Sequence, residues 1–328
     1  MSEAVDLHVH LVGNGRSGSG CRIRTRWWQG LFVQAMTRNI GLRAAPSDRD
    51  LDSSYVFQLS HWLEDSSLAA AVILACDEVY EENGNRRSDL SAFYVPNDFV
   101  LQTARECPGF LAGASIHPAR PDAMEALECC ADAGAVLIKL LPCMHVIDPN
   151  RRAYKHFWQR MADLRLPLLA HTGGEFSLPT YRRDLQNPEC LRLPLDCGVT
   201  VIAAHCGTRA LPCDHDYFDV FESMRHSYPN LYGDLAALSQ PTHLRSLARL
   251  RENPERILYG SDYPVVTAVL WSQLKGWFSN DEYRRLRAIK NPLEKTFQFA
   301  RALGFPDSVF TDAWKLLKVP LSKVRGRK

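Results

Sequence analysis

Two histidines spaced two residues apart mark the start of this chain's chemistry. His8 and His10 lie in the apolar stretch AVDLHVHLV, and on a strand residues i and i+2 project from the same face. Imidazoles on a buried face are costly unless something ligates or hydrogen-bonds them. Other apolar runs carry groups of the same kind at their ends. Lys139 lies in IKLLP, His171 in LLAHTGGE, His205 in VIAAHCG and Asp262 in LYGSDYP. Histidines and a carboxylate that converge in one cup are donors for a borderline divalent cation, zinc foremost and manganese as an alternative.

The elements that must position these residues are short, β-branched apolar runs, each followed by a segment of helical character. In order they are Ala4–Val12, Ala70–Cys76, Phe110–Ile116, Ala135–Leu141, Leu166–Ala170, Val199–Ala204, Asn230–Leu235 and Arg256–Gly260. Near-continuous apolar runs are the signature of parallel strands buried on both faces. From the third run onward they recur about every 25 to 35 residues, the length of one strand–helix unit. Eight units predict an α/β protein, a (β/α)8 TIM barrel, with an open doubly wound sheet as the competitor. In a barrel, catalytic groups gather at the C-terminal ends of several strands, which is where these histidines and Asp262 fall.

One domain is expected over residues 1–328, with residues 11–66 as a long lid-like insertion after the first strand and 315–328 as a solvated basic tail. Lys+Arg number 39 and Asp+Glu 37, a net charge of +2, so no strong field points to nucleic acid or to an anionic membrane. The longest apolar run, Leu68 to Cys76, is far short of the roughly 20 residues that a membrane span needs. The start, MSEAVDLHVH, lacks the basic-then-apolar order of an export signal, and none of the ten cysteines forms a CxxC pair. The expectation is a cytoplasmic protein with reduced thiols.

In order and spacing, DLHVH, SIHP at 115–118, GAVLIKLLP, LPLLAHTGGE, VIAAHCG, NLYGDLAAL and RILYGSDYP resemble the amidohydrolase superfamily, in particular its amidohydrolase-related branch. The resemblance spans roughly residues 4–300 and leaves the 11–66 insertion unmatched. Because the chain starts directly on the first strand, the small β-sandwich domain of other branches is not expected. Carried over residue by residue, the resemblance makes His8 and His10 ligands of a first metal and His171 a third imidazole ligand. Asp262 becomes a ligand and the general base. His205 either ligates a second metal or polarises the substrate carbonyl. Lys139 either bridges two metals as a carboxylated lysine, pairs with Asp262 or Glu175, or binds a substrate carboxylate. A bound cation would bring the pKa of its water to about 7 for zinc. A decarboxylase on the same scaffold would protonate a ring carbon instead.

His117 in SIHP, Arg152 and Asp234 are the candidates for substrate contact; His117 alternatively caps its loop, and Asp234 alternatively holds a metal-bound histidine. Arg151, Arg182, Arg183 and Arg209 share the expected face with Arg152, and arginines there suit a carboxylate-bearing small molecule. Asp77 and Glu78 read as solvated loop acids. Gly13 to Gly18 match GxGxxG, but no amphipathic helix follows, so a lid is the better account. The stretch RIRTRWW mixes base and aromatic groups without a recognisable nucleic-acid module. The expected function is metal-dependent hydrolysis of a small amide, ester or lactone; the alternative is non-oxidative decarboxylation of an aromatic or unsaturated acid. Oligomeric state rests on the general frequency of homo-oligomers among soluble enzymes.

Overall fold

The structure, a computed structural model, describes residues 3–24, 36, 39–42, 48–317 and 319. Eight parallel strands form one sheet in chain order: β1 Val5–His10, β2 Ala70–Leu74, β3 Phe110–Ser115, β4 Ala135–Leu140, β5 Leu168–His171, β6 Val201–Ala204, β7 Leu231–Asp234 and β8 Ile257–Leu258. Each coincides with one of the eight apolar runs. The sheet curls until its edges meet. Leu7 N donates to Tyr259 O (3.1 Å), His10 N to Tyr263 O (2.8 Å) and Asp262 N to His8 O (2.9 Å), which joins β1 to the segment after β8. This is the (β/α)8 barrel, and the open doubly wound alternative is excluded.

The covering helices are amphipathic at the expected spacing. In Lys155–Leu164 the buried residues are Phe157, Trp158 and Met161; in Leu244–Glu252 they include Leu244, Leu247 and Leu250. Between helices and sheet lies the larger core, to which Val9, Ile73, Ala112, Ile138, Leu168 and Val201 contribute. A second cluster fills the barrel itself: Val5, Leu7, Val72, Leu74, Leu137, Leu169, Ile202 and Leu258. Ala313 and Leu317 of the helix Ala313–Leu317 join that cluster. Within the expected 315–328 tail, Leu317 is therefore buried rather than solvated; residue 318 and residues 320–328 lie outside the described residues. The barrel is thus closed by carbon at one end, and polar chemistry is confined to the other.

Of the 11–66 insertion, residues 25–35, 37–38 and 43–47 lie outside the described residues, Thr25 to Trp28 of the RIRTRWW stretch among them. Its described parts are anchored. Arg22–Ile23 pairs antiparallel with Phe93–Tyr94. The glycine-rich loop wraps one of the chain's own carboxylates: Asn14 N and Gly15 N donate to Asp52 at 2.7 and 3.0 Å, and Ser19 Oγ donates to it as well. A Cβ on Gly13 would stand 2.7 Å from Asp52 Cγ, so the close approach requires glycine. The amides that a dinucleotide fingerprint would offer to phosphate are spent on Asp52. No helix among the described residues is long and apolar enough to cross a membrane.

Candidate active site

The site forms where the barrel's side-chain layers change from carbon to polar atoms. On β4 and β5 simple alternation does this: Leu137 and Lys139 share the inward face, as do Leu169 and His171. On β1 alternation alone would fail, because Val5 and Leu7 already point inward. The pairing of β1 with β2 shifts register between Asp6 and Val9. That bulge puts two successive side chains, Leu7 and His8, on the same side, so that His8 and His10 follow Val5 and Leu7 into the barrel. Asp6 sits at the bulge. Its Oδ1 accepts His8 N (3.1 Å) and Ser261 N (2.9 Å), which ties the bulge to the segment that carries Asp262.

The donor atoms converge. His8 Nε2 lies 3.2 Å from His10 Nε2, 2.9 Å from Lys139 Nζ and 3.3 Å from Asp262 Oδ1; His10 Nε2 lies 3.2 Å from the same oxygen. One donor atom each from His8, His205 and Asp262 lie within 4.8 Å of one another. The His171 and His205 ring centroids are 4.8 Å apart, and His171 Nε2 is buried with no hydrogen-bond partner. The backbone at His205 and Asp262 is left-handed (φ 62° and 59°), strain of the kind that clusters at functional sites.

Asp234 directs this cluster from behind. Its Oδ2 accepts His8 Nδ1 (2.8 Å), which leaves the His8 Nε2 lone pair facing the centre. Its Oδ1 accepts the backbone amides of His205 (2.8 Å) and Ala236 (3.2 Å). Glu175 is the carboxylate beside His171, with Oε2 3.7 Å from Nδ1, too far for a hydrogen bond, while Oε1 accepts Leu178 N at 3.0 Å. Sequence reading named Glu175 only as a partner for Lys139. Its signal was the Gly-Gly turn of HTGGE, which brings residue i+4 back over the histidine.

Burial holds His8, His10 and His171 below the ordinary histidine range, so all three imidazoles are neutral and able to ligate. Burial likewise lowers Lys139, whose amine bonds His8 rather than pairing with Asp262 or Glu175. Burial alone would raise Asp262, but the adjacent His8, His10 and His205 outweigh it and hold the carboxyl below the carboxylate range. An orphaned imidazole nitrogen, two imidazole nitrogens face to face and an ionised carboxylate form a donor set that fits a divalent cation.

The structure brings His8, His10, Lys139, His171, His205 and Asp262 together and places the expected substrate contacts elsewhere. Asp234 is fully buried, and both its oxygens are committed to protein groups. His117 is buried with Nε2 on His145 O (3.1 Å) and Nδ1 accepting Ala119 N (3.1 Å), the loop-capping arrangement. Arg152 begins a short 3-10 turn and is exposed, outside the cavities described below. Arg151 pairs with Glu82 and Arg182 with Asp184. Asp77 and Glu78, expected in solvent, are buried because each is paired, Asp77 with Arg120 and Glu78 with Arg22 and Arg86.

Burial pulls the imidazoles of His117 and His243 down to about 4. In the unfolded chain each titrates near 6.5, so between those values the unfolded state binds protons that the folded state does not. Their contribution to stability is complete above pH ~6.5 and is lost as pH falls toward 4, up to about 3 kcal/mol per residue. Lowering the pH from 7.5 to 5 should therefore shift the urea midpoint less favourably in the natural chain than in His243→Gln, which removes one of the two groups; identical shifts in the two proteins would rule this account out.

Comparison with known proteins agrees with the geometry. A family model described as Amidohydrolase matches residues 5–285. No curated protein matches the chain. Among solved structures, a probable 2-pyrone-4,6-dicarboxylic acid hydrolase from Acinetobacter baumannii, with citric acid bound, is 13% identical (97% of this chain, 100% of that chain, TM-score 0.56). The 5-carboxyvanillate decarboxylase of Sphingomonas paucimobilis is 11% identical (97% and 99%, TM-score 0.55). A dihydroxybenzoic acid decarboxylase from a Polaromonas species, with manganese and the inhibitor 2-nitroresorcinol bound, is 14% identical (97% and 97%, TM-score 0.51). At these identities the likeness is one of fold.

Proposed function

The chain belongs to the amidohydrolase family, and from that premise we propose that it is a metal-dependent hydrolase of a small amide, ester or lactone. The observation that carries the reading is the convergence of His8, His10, His171, His205 and Asp262 at the open end of a barrel whose other end is filled with carbon. His8, His10, His171 and Asp262 would hold the cation, zinc first on donor chemistry and manganese second. When bound, it supplies Lewis acidity and a water activated near neutral pH.

The remaining roles belong to the chain. Asp262, ionised and beside the cluster, takes the water's proton and returns it to the leaving group. His205 lines both cavities at the centre, where its ring orients the scissile carbonyl and stabilises charge on its oxygen. Asp234 holds the imidazole of His8 in its working tautomer, and Glu175 is the carboxylate beside His171. Lys139 would set the metal count: carboxylated, it would add an anionic ligand and let the site hold two ions, and as a free amine it would leave one.

A second reading uses the same residues for non-oxidative decarboxylation of an aromatic or unsaturated acid, with a protonated group delivering H+ to a ring carbon. Two of the structures similar in fold are named as decarboxylases. The deciding experiment combines elemental mass spectrometry of the purified chain with two panels of compounds. Metal at about one or two ions per chain, with ester, amide or lactone cleavage and no carbon dioxide release from aromatic acids, supports the hydrolase. Carbon dioxide release without hydrolysis transfers the site to the second reading. A chain that takes up neither zinc nor manganese ends both.

A further inference from the structure

Two cavities open on the same centre, and their chemistry differs. The larger, about 490 Å3, runs between the loops that follow β5, β6, β7 and β8. The smaller, about 110 Å3, runs toward the segment after β1. His171, Glu175, His205 and Asp262 belong to both. A substrate whose reacting group sits on this shared floor has one arm in each direction.

The wall of the larger cavity is mostly carbon, with Phe176, Leu211, Pro212, Pro241, Val265 and Val266 around it. Three of its neutral polar side chains are engaged by backbone. Thr208 Oγ1 donates to His205 O (2.8 Å), Gln240 Nε2 to Val266 O (2.9 Å) and Thr242 Oγ1 to Ala210 O (3.2 Å). Among the described residues that line it there is no lysine or arginine, whereas Glu175 and Asp262 stand on its floor. An anionic arm entering here would lose hydration against a wall whose described lining residues include no lysine or arginine to replace it. An uncharged carbon arm buries apolar surface against apolar surface. A dry cavity of about 150 Å3 already holds benzene, so a substituted ring fits here with room to spare. The smaller cavity differs in having Arg24 on its wall, with that guanidinium donating to the backbone carbonyls of Ser88 and Ser91.

We propose that the larger cavity is the acceptor site for an uncharged aryl or branched-alkyl arm of the substrate, so that this chain acts on neutral-armed compounds and discriminates against a carboxylate on that arm. The proposal rests on the metal-centred reading above for the position of the reacting group.

The test uses three hydroxamates, whose head groups seek the metal centre: acetohydroxamate, 4-phenylbutanohydroxamate and the same compound with a para-carboxylate on the ring. Calorimetry on the full chain, zinc-loaded and chelator-stripped, gives each Kd. The neutral aryl probe should bind roughly thirtyfold tighter than acetohydroxamate, the gain for burying about one ring. Its carboxylated analogue should bind about tenfold or more weaker than the neutral one. In Val266→Lys, at the partly exposed rim of the cavity, that ratio should shrink or invert. Equal or tighter binding of the carboxylated probe to the natural chain would overturn the proposal, as would a neutral probe no tighter than acetohydroxamate. A neutral preference that persists without metal, at undiminished affinity, would uphold the arm site and sink the metal-centred reading instead.

Discussion

Replacing Asp262 by asparagine should reduce turnover about a hundred- to ten-thousandfold while the protein stays folded. The substitution is chosen for its backbone. Asp262 sits at φ 59°, a left-handed conformation that asparagine accepts more readily than alanine, so the backbone hydrogen bond from Asp262 N to His8 O (2.9 Å) is retained. What is lost is the charge. The carboxylate lies 3.2 Å from His10 Nε2 and 3.3 Å from His8 Nε2, and a neutral amide there can neither balance a cation nor take a proton from water. Metal content by elemental analysis should fall together with activity, on whichever ester, lactone or aromatic acid the natural chain consumes. Circular dichroism and the thermal midpoint should change little. Full activity in a well-folded Asp262→Asn protein would remove Asp262 from the mechanism.

Asp234→Asn should fail for a different reason, although it never faces substrate. The carboxylate receives three N–H groups, His8 Nδ1, His205 N and Ala236 N, and an amide offers only one oxygen. Whichever way the asparagine turns, its NH2 confronts a buried donor. The expected cost is about 1–3 kcal/mol of stability, read as a lower urea midpoint, because a buried N–H is left unsatisfied. Metal affinity should fall about 10- to 100-fold, because the His8 imidazole is no longer held in the tautomer that presents Nε2. The pair of readouts separates the two aspartates: Asp262→Asn costs chemistry at nearly constant stability, and Asp234→Asn costs both. Natural metal affinity in Asp234→Asn would show that His8 needs no such support.

Much of the architecture is legible in the chain itself. Eight apolar runs at strand–helix spacing narrow the architecture to a barrel or an open doubly wound sheet, because parallel strands covered by helices must be apolar on both faces. Polar groups at the ends of such runs must lie at the barrel's open end, which marks Lys139, His171, His205 and Asp262 without any coordinates. Four features belong to the folded state alone. The bulge between Asp6 and Val9 turns His8 and His10 inward, and a period of two cannot reveal a register shift that depends on the neighbouring strand. For Asp234 the chain leaves open a substrate contact or support of a histidine, and only the structure shows both its oxygens committed to protein groups, His8 among them. Asp77 and Glu78 look like loop acids because their partners Arg120, Arg22 and Arg86 come from other segments. The carbon-rich cavity is walled by four different loops, each unremarkable alone. Local periodicity determines which residues become strands and where those strands end. Which polar groups meet, and which are already spent, depends on contacts between distant segments, and only the closed barrel creates them.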